Sequence, residues 1–226
     1  MLIGALADVH GNFDAMHAAM TRHPDVPLWL CVGDLASRSG AYPEPPVPLY
    51  WIKGNNESFD AIAGWEAGAA QPRHLHFIRN GTAVMAGPLR VAGLGGTFAP
   101  SWFETAAAGL PHTPRDDKRR HFVREEAEAC KRLGAVDILM THEAARPFIL
   151  VDEAAAGARP RRRDAGKPAI NDVLAVLKPR LHLCGHHHRF ADTEREGVRS
   201  ICIDRVNRSY LLIDPATLDC RMVPQA

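Results

Sequence analysis

The sequence has little that would tie it to a membrane, a disulfide framework or a polyanion. No apolar run approaches the roughly twenty residues needed to span a bilayer. The opening, Met1-Leu2-Ile3-Gly4-Ala5-Leu6-Ala7-Asp8, lacks both the basic region and the apolar length of a signal peptide. The five cysteines, Cys31, Cys130, Cys184, Cys202 and Cys220, are odd in number and include no Cys-x-x-Cys pair. Reduced thiols in a cytoplasmic protein fit that usage better than cross-links. An excess of one charge sign is also missing: 27 Lys+Arg stand against 26 Asp+Glu, a formal net charge of +1. No whole-molecule field therefore draws nucleic acid or an anionic membrane, and polyanion binding would need a local patch. Phe, Trp and Tyr make up only 7% of the chain, so few aromatics are interleaved with basic residues to stack bases.

What is present is an ordinary globular composition, 46% hydrophobic and 23% charged, which excludes a disordered chain. Apolar runs of strand length alternate with amphipathic stretches of helix length. Strands are expected at Leu2–Ala7, Leu28–Val32, Leu49–Lys53, Val136–Met140, Leu181–Cys184, Val198–Ile203, Tyr210–Ile213 and Leu218–Val223. Ala83–Ala86 and Leu89–Leu94 read as a hairpin around Gly87-Pro88. Helices are expected at Asn12–Thr21, capped by Asn12, at Glu57–Ala67, and at Lys167–Lys178 with Pro168 in the first turn. Asp116–Leu133 carries Phe122, Ala129 and Leu133 among charges and reads as one long surface helix ending at Gly134. Pro43–Pro48 is too short to link domains. The pattern predicts one α/β domain over 1–226, a four-layer α/β/β/α sandwich of two mixed sheets flanked by helices.

Histidine, at 12 residues, is the unusual entry, and position separates its uses. Several expected strands end directly in metal-binding side chains: Asp8-Val9-His10, Gly33-Asp34, Gly54-Asn55-Asn56-Glu57, Thr141-His142 and Gly185-His186-His187-His188. Carboxyl ends of neighbouring strands converge on one crevice, where open α/β sheets place ligands. Read as extended backbone, Asp8 and His10 point the same way, as do His186 and His188, which leaves His187 facing elsewhere. Asp8, His10, Asp34, Asn55, His142, His186 and His188 together suffice for two divalent ions with positions open to water and substrate. Nitrogen and oxygen donors without thiolate favour manganese first, with iron, zinc and nickel also fitting, over calcium or magnesium. His17, His23, His74, His76, His112, His121 and His182 show no metal spacing.

These five motifs, in this order over positions 8 to 188, resemble the calcineurin-like metallophosphoesterase superfamily. The resemblance implies Asp8, His10 and His188 on one ion, Asn55, His142 and His186 on the other, and Asp34 bridging. It also implies hydrolysis of a phosphate ester by in-line attack of a hydroxide between the ions. Val91-Ala92-Gly93-Leu94-Gly95-Gly96 and Asp164-Ala165-Gly166-Lys167-Pro168 are similar to small members related to RNA-lariat debranching enzymes.

The chain departs from the family pattern in two linked places. Many relatives carry a histidine, acting as general acid, where this chain has Asn56. The phosphoprotein-phosphatase branch carries an acidic residue, orienting that histidine, where this chain has Ser37. An amide does not donate a proton at physiological pH, so water, His187 or a good leaving group must serve. The reading therefore favours phosphodiesters, with a phosphomonoesterase or protein phosphatase as the alternative and a non-catalytic scaffold of the same fold as a third. Arg38, four residues after Asp34, is the candidate phosphate contact, ahead of Lys53. Asn56, Glu57, Arg38 and His187 complete the candidate catalytic set. The expected partner is a phosphate ester, a small molecule or nucleotide. The run Arg159-Pro160-Arg161-Arg162-Arg163 leaves nucleic acid open without indicating it, and no membrane is expected.

Overall fold

The computed structural model describes residues 1–113, 116–152 and 161–225. Its frame is two six-stranded mixed sheets. In the first, the order across the sheet is Cys220–Pro224, Ser209–Ile213, Ile3–Leu6, Trp29–Cys31, Leu49–Trp51, Leu75–Phe77. The last four strands run parallel, and the two C-terminal strands add antiparallel at one edge. The second sheet runs Ala191–Arg195, Val198–Cys202, Leu181–Cys184, Ile138–Thr141, Leu89–Leu94, Thr82–Ala86. It is parallel in the middle and closed by an antiparallel strand at each edge.

The inner strands are short and almost continuously apolar because they are buried on both faces. Ile3, Ala5, Leu30, Val32 and Ile52 of the first sheet meet Val91, Ile138, Met140, Leu183 and Ile201 of the second in one inner core. The next residue along each strand points outward, as the two-residue strand repeat requires. Leu6, Trp29, Cys31 and Trp51 receive helices α1 (Phe13–Arg22) and α2 (Phe59–Glu66). Ala92, Leu94 and Leu139 receive α3 (Arg124–Lys131) and α4 (Pro168–Leu177). The result is the α/β/β/α sandwich expected from the sequence. Asn12 caps α1 through Oδ1, which accepts the Ala15 N–H at 3.2 Å. Pro168 opens α4, as expected.

The long helix expected at 116–133 is not formed. Asp116–Asp117 is a short strand, Lys118–Arg120 a single 3₁₀ turn, and His121–Phe122 a strand parallel to Thr97–Phe98. Two contacts decide against the helix. The Arg119 guanidinium folds back on Asp117, at 2.9 and 3.0 Å from Nε, and reaches Asp60 at 2.6 Å. Phe122, fully buried, packs against Phe98 and Phe103 with ring centroids 5.9 and 6.1 Å away. The helix begins only after Val123, whose N–H is accepted by the Glu126 carboxylate at 3.0 Å. Two edge strands have no counterpart in the sequence reading. Leu75–Phe77 is only three residues long, and Ala191–Arg195 is largely exposed and polar. Among the described residues no helix is long and apolar enough to cross a membrane, and all five cysteines are free thiols.

Candidate metal centre

The seven residues expected to hold metal all lie just beyond the carboxyl ends of parallel strands. Asp8, His10, Asp34 and Asn55 follow three adjacent strands of the first sheet; His142, His186 and His188 follow two of the second. The reason they converge differs from the sequence reading, which took Asp8–His10 and His186–His188 as extended. Asp8 (φ 51°), His10 (φ 48°), Asp34 (φ 55°), His186 (φ 66°) and His188 (φ 50°) all occupy the left-handed region. That conformation is costly for residues other than glycine and gathers at sites that the surrounding fold over-determines. Here each strand stops and the chain turns sharply, so the side chain is aimed by the turn and not by strand pleating.

The donor atoms form two groups. In Asp8, His10 and His188, and again in Asp34, His142 and His186, one ligand atom from each residue lies within 4.8 Å of the others. Asp34 reaches both: Oδ2 is 3.7 Å from His10 Nε2, and Oδ1 is 3.5 Å from His142 Nε2. Asn55 Oδ1 lies 3.0 Å from His142 Nε2. His10 and His188 present their Nε2 atoms to each other at 3.2 Å, and each is 3.5–3.8 Å from Asp8 Oδ1. Those carboxylate contacts are too long for hydrogen bonds. Asp8 Oδ1 is buried and has no hydrogen-bond partner among the described residues, which is costly for a charged oxygen. An orphaned carboxylate oxygen beside two facing imidazole nitrogens fits a shared divalent cation, with bonds of about 2.0–2.2 Å to each donor.

The surrounding contacts fix these donors in place. His142 Nδ1 donates to the Val32 carbonyl at 2.8 Å, which turns Nε2 toward the centre. Asp8 Oδ2 accepts the His186 N–H at 2.8 Å, tying a candidate ligand of the first sheet to a loop of the second. Asn56 donates twice to Asp34, from its backbone N–H to Oδ1 and from Nδ2 to Oδ2, both at 2.8 Å. Gly54 is required by close approach: a Cβ there would stand 2.0 Å from Asp34 Oδ1. Glu57 joins the two loops of the first sheet, accepting from Leu35, Ala36 and Gly54 N–H groups and from the Tyr42 hydroxyl at 3.0–3.1 Å.

Electrostatics follow from this packing. Burial alone would lower the pKa of His142, but the Asp34 carboxylate outweighs it and raises the value to about 10. Burial raises Asp34, and His142 and Asn56 more than reverse that, holding it well below the carboxylate range. For His10 burial lowers the pKa, Asp34 and Asp8 raise it, and His188 and Arg205 lower it, for a net decrease. Burial lowers His186 to about 4 and His187 to about 3, so both are neutral and available as acceptors near neutral pH. Burial and the nearby Asp34 charge raise Glu57 to about 7 against the pull of its backbone donors.

Residues 1–190 match the family model described as calcineurin-like phosphoesterase. The chain belongs to that family. A curated relative, the lariat debranching enzyme of Schizosaccharomyces pombe (strain 972), is 23% identical over 193 residues, 80% of this chain. The match spans 42% of that relative's length. A solved structure from Thermus thermophilus superposes with TM-score 0.64 at 13% identity, covering 99% of this chain and 98% of its own. Another reaches TM-score 0.69 at 12% identity, covering 100% of this chain and 99% of its own. At those identities the solved structures speak for the fold alone.

Within this calcineurin-like phosphoesterase the remaining candidates separate. Arg38 is exposed and lines the cleft with His10, Asn55, Asn56 and His188. Ser37 Oγ lies 2.9 Å from Ser39 Oγ and accepts the Ala41 N–H, so it serves a turn. Lys53 is turned away from the cleft, its Nζ donating to the Arg119 and His121 carbonyls at 2.9 and 3.3 Å. His187 stacks on Phe148 (centroids 4.5 Å apart, 25°), and its Nε2 accepts the Ala144 N–H at 3.3 Å. Its contacts make it a brace for the ligand loop. Of the arginine run, Arg159 and Pro160 lie outside the described residues. Arg161–Asp164 pairs antiparallel with Ile149–Asp152, and Arg162 and Arg163 are exposed.

Two residues at the centre escaped the sequence reading. Glu143, 3% exposed, has Oε1 3.7 Å from His186 Nε2 and 3.3 Å from Lys167 Nζ. Arg205 lines the same cleft as Arg38. Both stand where the candidate ligands stand, one to four residues past a strand end, and that position was the available signal.

Proposed function

We propose that this chain is a dinuclear metal-dependent phosphoesterase that prefers phosphodiesters. The observation that carries the reading is Asp34, whose two oxygens address two separate donor groups, His10 at 3.7 Å and His142 at 3.5 Å. Asp8, His10 and His188 would hold one divalent ion, and Asn55, His142 and His186 the other, with Asp34 shared. Manganese is the first candidate for this nitrogen- and oxygen-rich set. Such ions, when bound, neutralise phosphoryl charge and provide a nucleophile from water near neutral pH. The protein's own part is orientation: Val32 aims His142, Asn56 holds Asp34, and the His186 N–H holds Asp8. Arg38 stands at the rim of the same cleft, where it can contact a phosphate of the substrate other than the one between the ions.

The preference for diesters is supported by Asn56. Its amide is spent on Asp34 and has no acidic proton for a leaving group, and no carboxylate stands at Ser37 to orient one. The likeness to a lariat debranching enzyme bears on the subgroup of the family and not on the substrate. A reducing, cytoplasmic setting is supported by the five free thiols. The test is hydrolysis of a chromogenic phosphodiester and a chromogenic phosphomonoester by manganese-loaded protein and by its His186→Ala variant. The diester should give the higher kcat/KM, and the variant should lose at least about a hundredfold. Equal rates for the two proteins would overturn the assignment, and a higher kcat/KM on the monoester would replace it with a phosphomonoesterase.

A further inference from the structure

The cleft over the metal centre has a volume of about 680 Å³, within the range of pockets that enclose a whole small molecule. Arg205 forms part of its wall. The residue follows the strand Val198–Cys202, is bridged in parallel to Ala7, and is fixed there by Val206, whose N–H donates to the Ala7 carbonyl at 3.0 Å. It thus stands beside the strand end that carries Asp8. Its Nε is buried and has no hydrogen-bond partner among the described residues. The neighbouring acid does not supply one. Asp204 Oδ1 accepts the backbone N–H of Arg205 at 2.7 Å, and Oδ2 faces Arg208 at 3.6 Å. Arg38, on the same cleft, makes no ion pair among the described residues. Buried guanidinium donors without an acceptor are destabilising unless a ligand supplies one, and a phosphate oxygen pair matches the guanidinium fork.

Charge decides what that ligand is. A diester phosphate carries one negative charge, and two divalent ions held by the Asp8 and Asp34 carboxylates keep a net charge of +2, which neutralises that phosphate together with a hydroxide nucleophile. Two more guanidinium groups are surplus to the scissile phosphate, in a cleft with room beyond it. We propose that Arg205, together with Arg38, forms a subsite for a second, non-scissile phosphate carried by the diester substrate. The inference rests on the phosphodiesterase reading above and narrows its substrate class. The second phosphate can belong to an oligonucleotide chain or to a mononucleotide bearing two phosphates, and the two sources are separable.

The experiment compares matched pairs on manganese-loaded protein. One pair is the dinucleotide TpT with and without a 5′-phosphate; the other is the p-nitrophenyl ester of thymidine 5′-phosphate with and without a 3′-phosphate. The added phosphate should raise kcat/KM by about tenfold, mainly through KM, in at least one pair. The pair that responds identifies the source. In Arg205→Ala the ratio should fall to within about twofold, and Arg205→Lys should retain part of it. No preference in either wild-type pair, or a preference unchanged in Arg205→Ala, would overturn the subsite. Calorimetric binding of thymidine 3′,5′-bisphosphate against thymidine 5′-monophosphate reads the same subsite without turnover. Tighter bisphosphate binding that Arg205→Ala abolishes would support the subsite even if neither diester were cleaved, an outcome that would instead sink the phosphodiesterase reading.

Discussion

Replacing Glu57 with glutamine tests how the two ligand loops of the first sheet are joined, with almost no change in shape. The carboxylate accepts from four donors: Leu35 N–H at 3.0 Å and Gly54 N–H at 3.1 Å on Oε1, Ala36 N–H at 3.1 Å and Tyr42 OH at 3.0 Å on Oε2. A glutamine amide offers one acceptor oxygen and two N–H donors. With its oxygen at the Oε1 position, the Tyr42 hydroxyl can rotate, but the Ala36 N–H faces another N–H. The reverse orientation strands the N–H groups of both Leu35 and Gly54. At least one backbone donor is therefore orphaned, at about 1–3 kcal/mol, and the surviving bonds lose the strength that a charged acceptor adds. The sum is about 3 kcal/mol, which for a chain of this size lowers Tm by roughly 6–12 °C. Thermal unfolding followed by circular dichroism, at a pH well above 7 so that the carboxyl is ionised, measures it. Metal analysis alongside should show weakened retention, since Asp34 and Asn55 sit on the loops that Glu57 joins. A Tm within about 2 °C of wild type would refute the reasoning, because it would mean that the native carboxyl is protonated and already donates.

Two further outcomes follow from contacts near the centre. In Gly54→Ala the new Cβ would meet Asp34 Oδ1 at 2.0 Å and the Asp34 backbone N at 2.3 Å, so the shared carboxylate must move. Metal affinity should fall about 10–100-fold, and unchanged metal content after dialysis would contradict that. Burial lowers the pKa of His182 from 6.5 to about 4, with its ring between Thr141 Oγ1 at 2.8 Å and Ser200 Oγ at 3.0 Å. The group binds its proton more readily when unfolded, so its contribution is complete above pH 6.5 and is lost as pH falls toward 4, by up to about 3 kcal/mol. His182→Gln should flatten that limb of the urea-denaturation profile, and parallel wild-type and variant curves would show the assignment wrong.

The sandwich was legible because its inner strands are buried on both faces and read as plain apolar runs, while α1 and α4 carry their own cap and proline signals. What escaped the reading depends on partners distant in sequence. Phe122 has helical spacing to Ala129 and Leu133 yet packs against Phe98 and Phe103. Ala191–Arg195 has no apolar repeat because only its backbone is used, in pairing with Val198–Cys202. At the centre, the order of Asp, His and Asn after strand ends was visible in the chain, and the structure gathers those residues into one cleft. The left-handed backbone that aims them was not visible, since aspartate and histidine carry no such signal as glycine does. Arg205 was hidden for another reason: an arginine just past a strand end has no motif around it, and only the orphaned Nε and the cleft wall single it out.

The left-handed turns at Asp8, His10, Asp34, His186 and His188 also bear on how such a centre is lost. At each of these positions glycine would adopt the same backbone at lower cost. A change from ligand to glycine thus relaxes the loop in the same stroke that removes the donor. Selection for stability alone and selection for turnover pull in opposite directions most clearly at His10 and His188, whose rings hydrogen-bond only to each other among the described residues; at Asp8 and Asp34 the lost hydrogen bonds to His186 and Asn56 offset the relief. On the proposed reading, a copy released from catalysis would drift toward a calmer, metal-free fold, and the candidate donors would persist only where turnover is under selection.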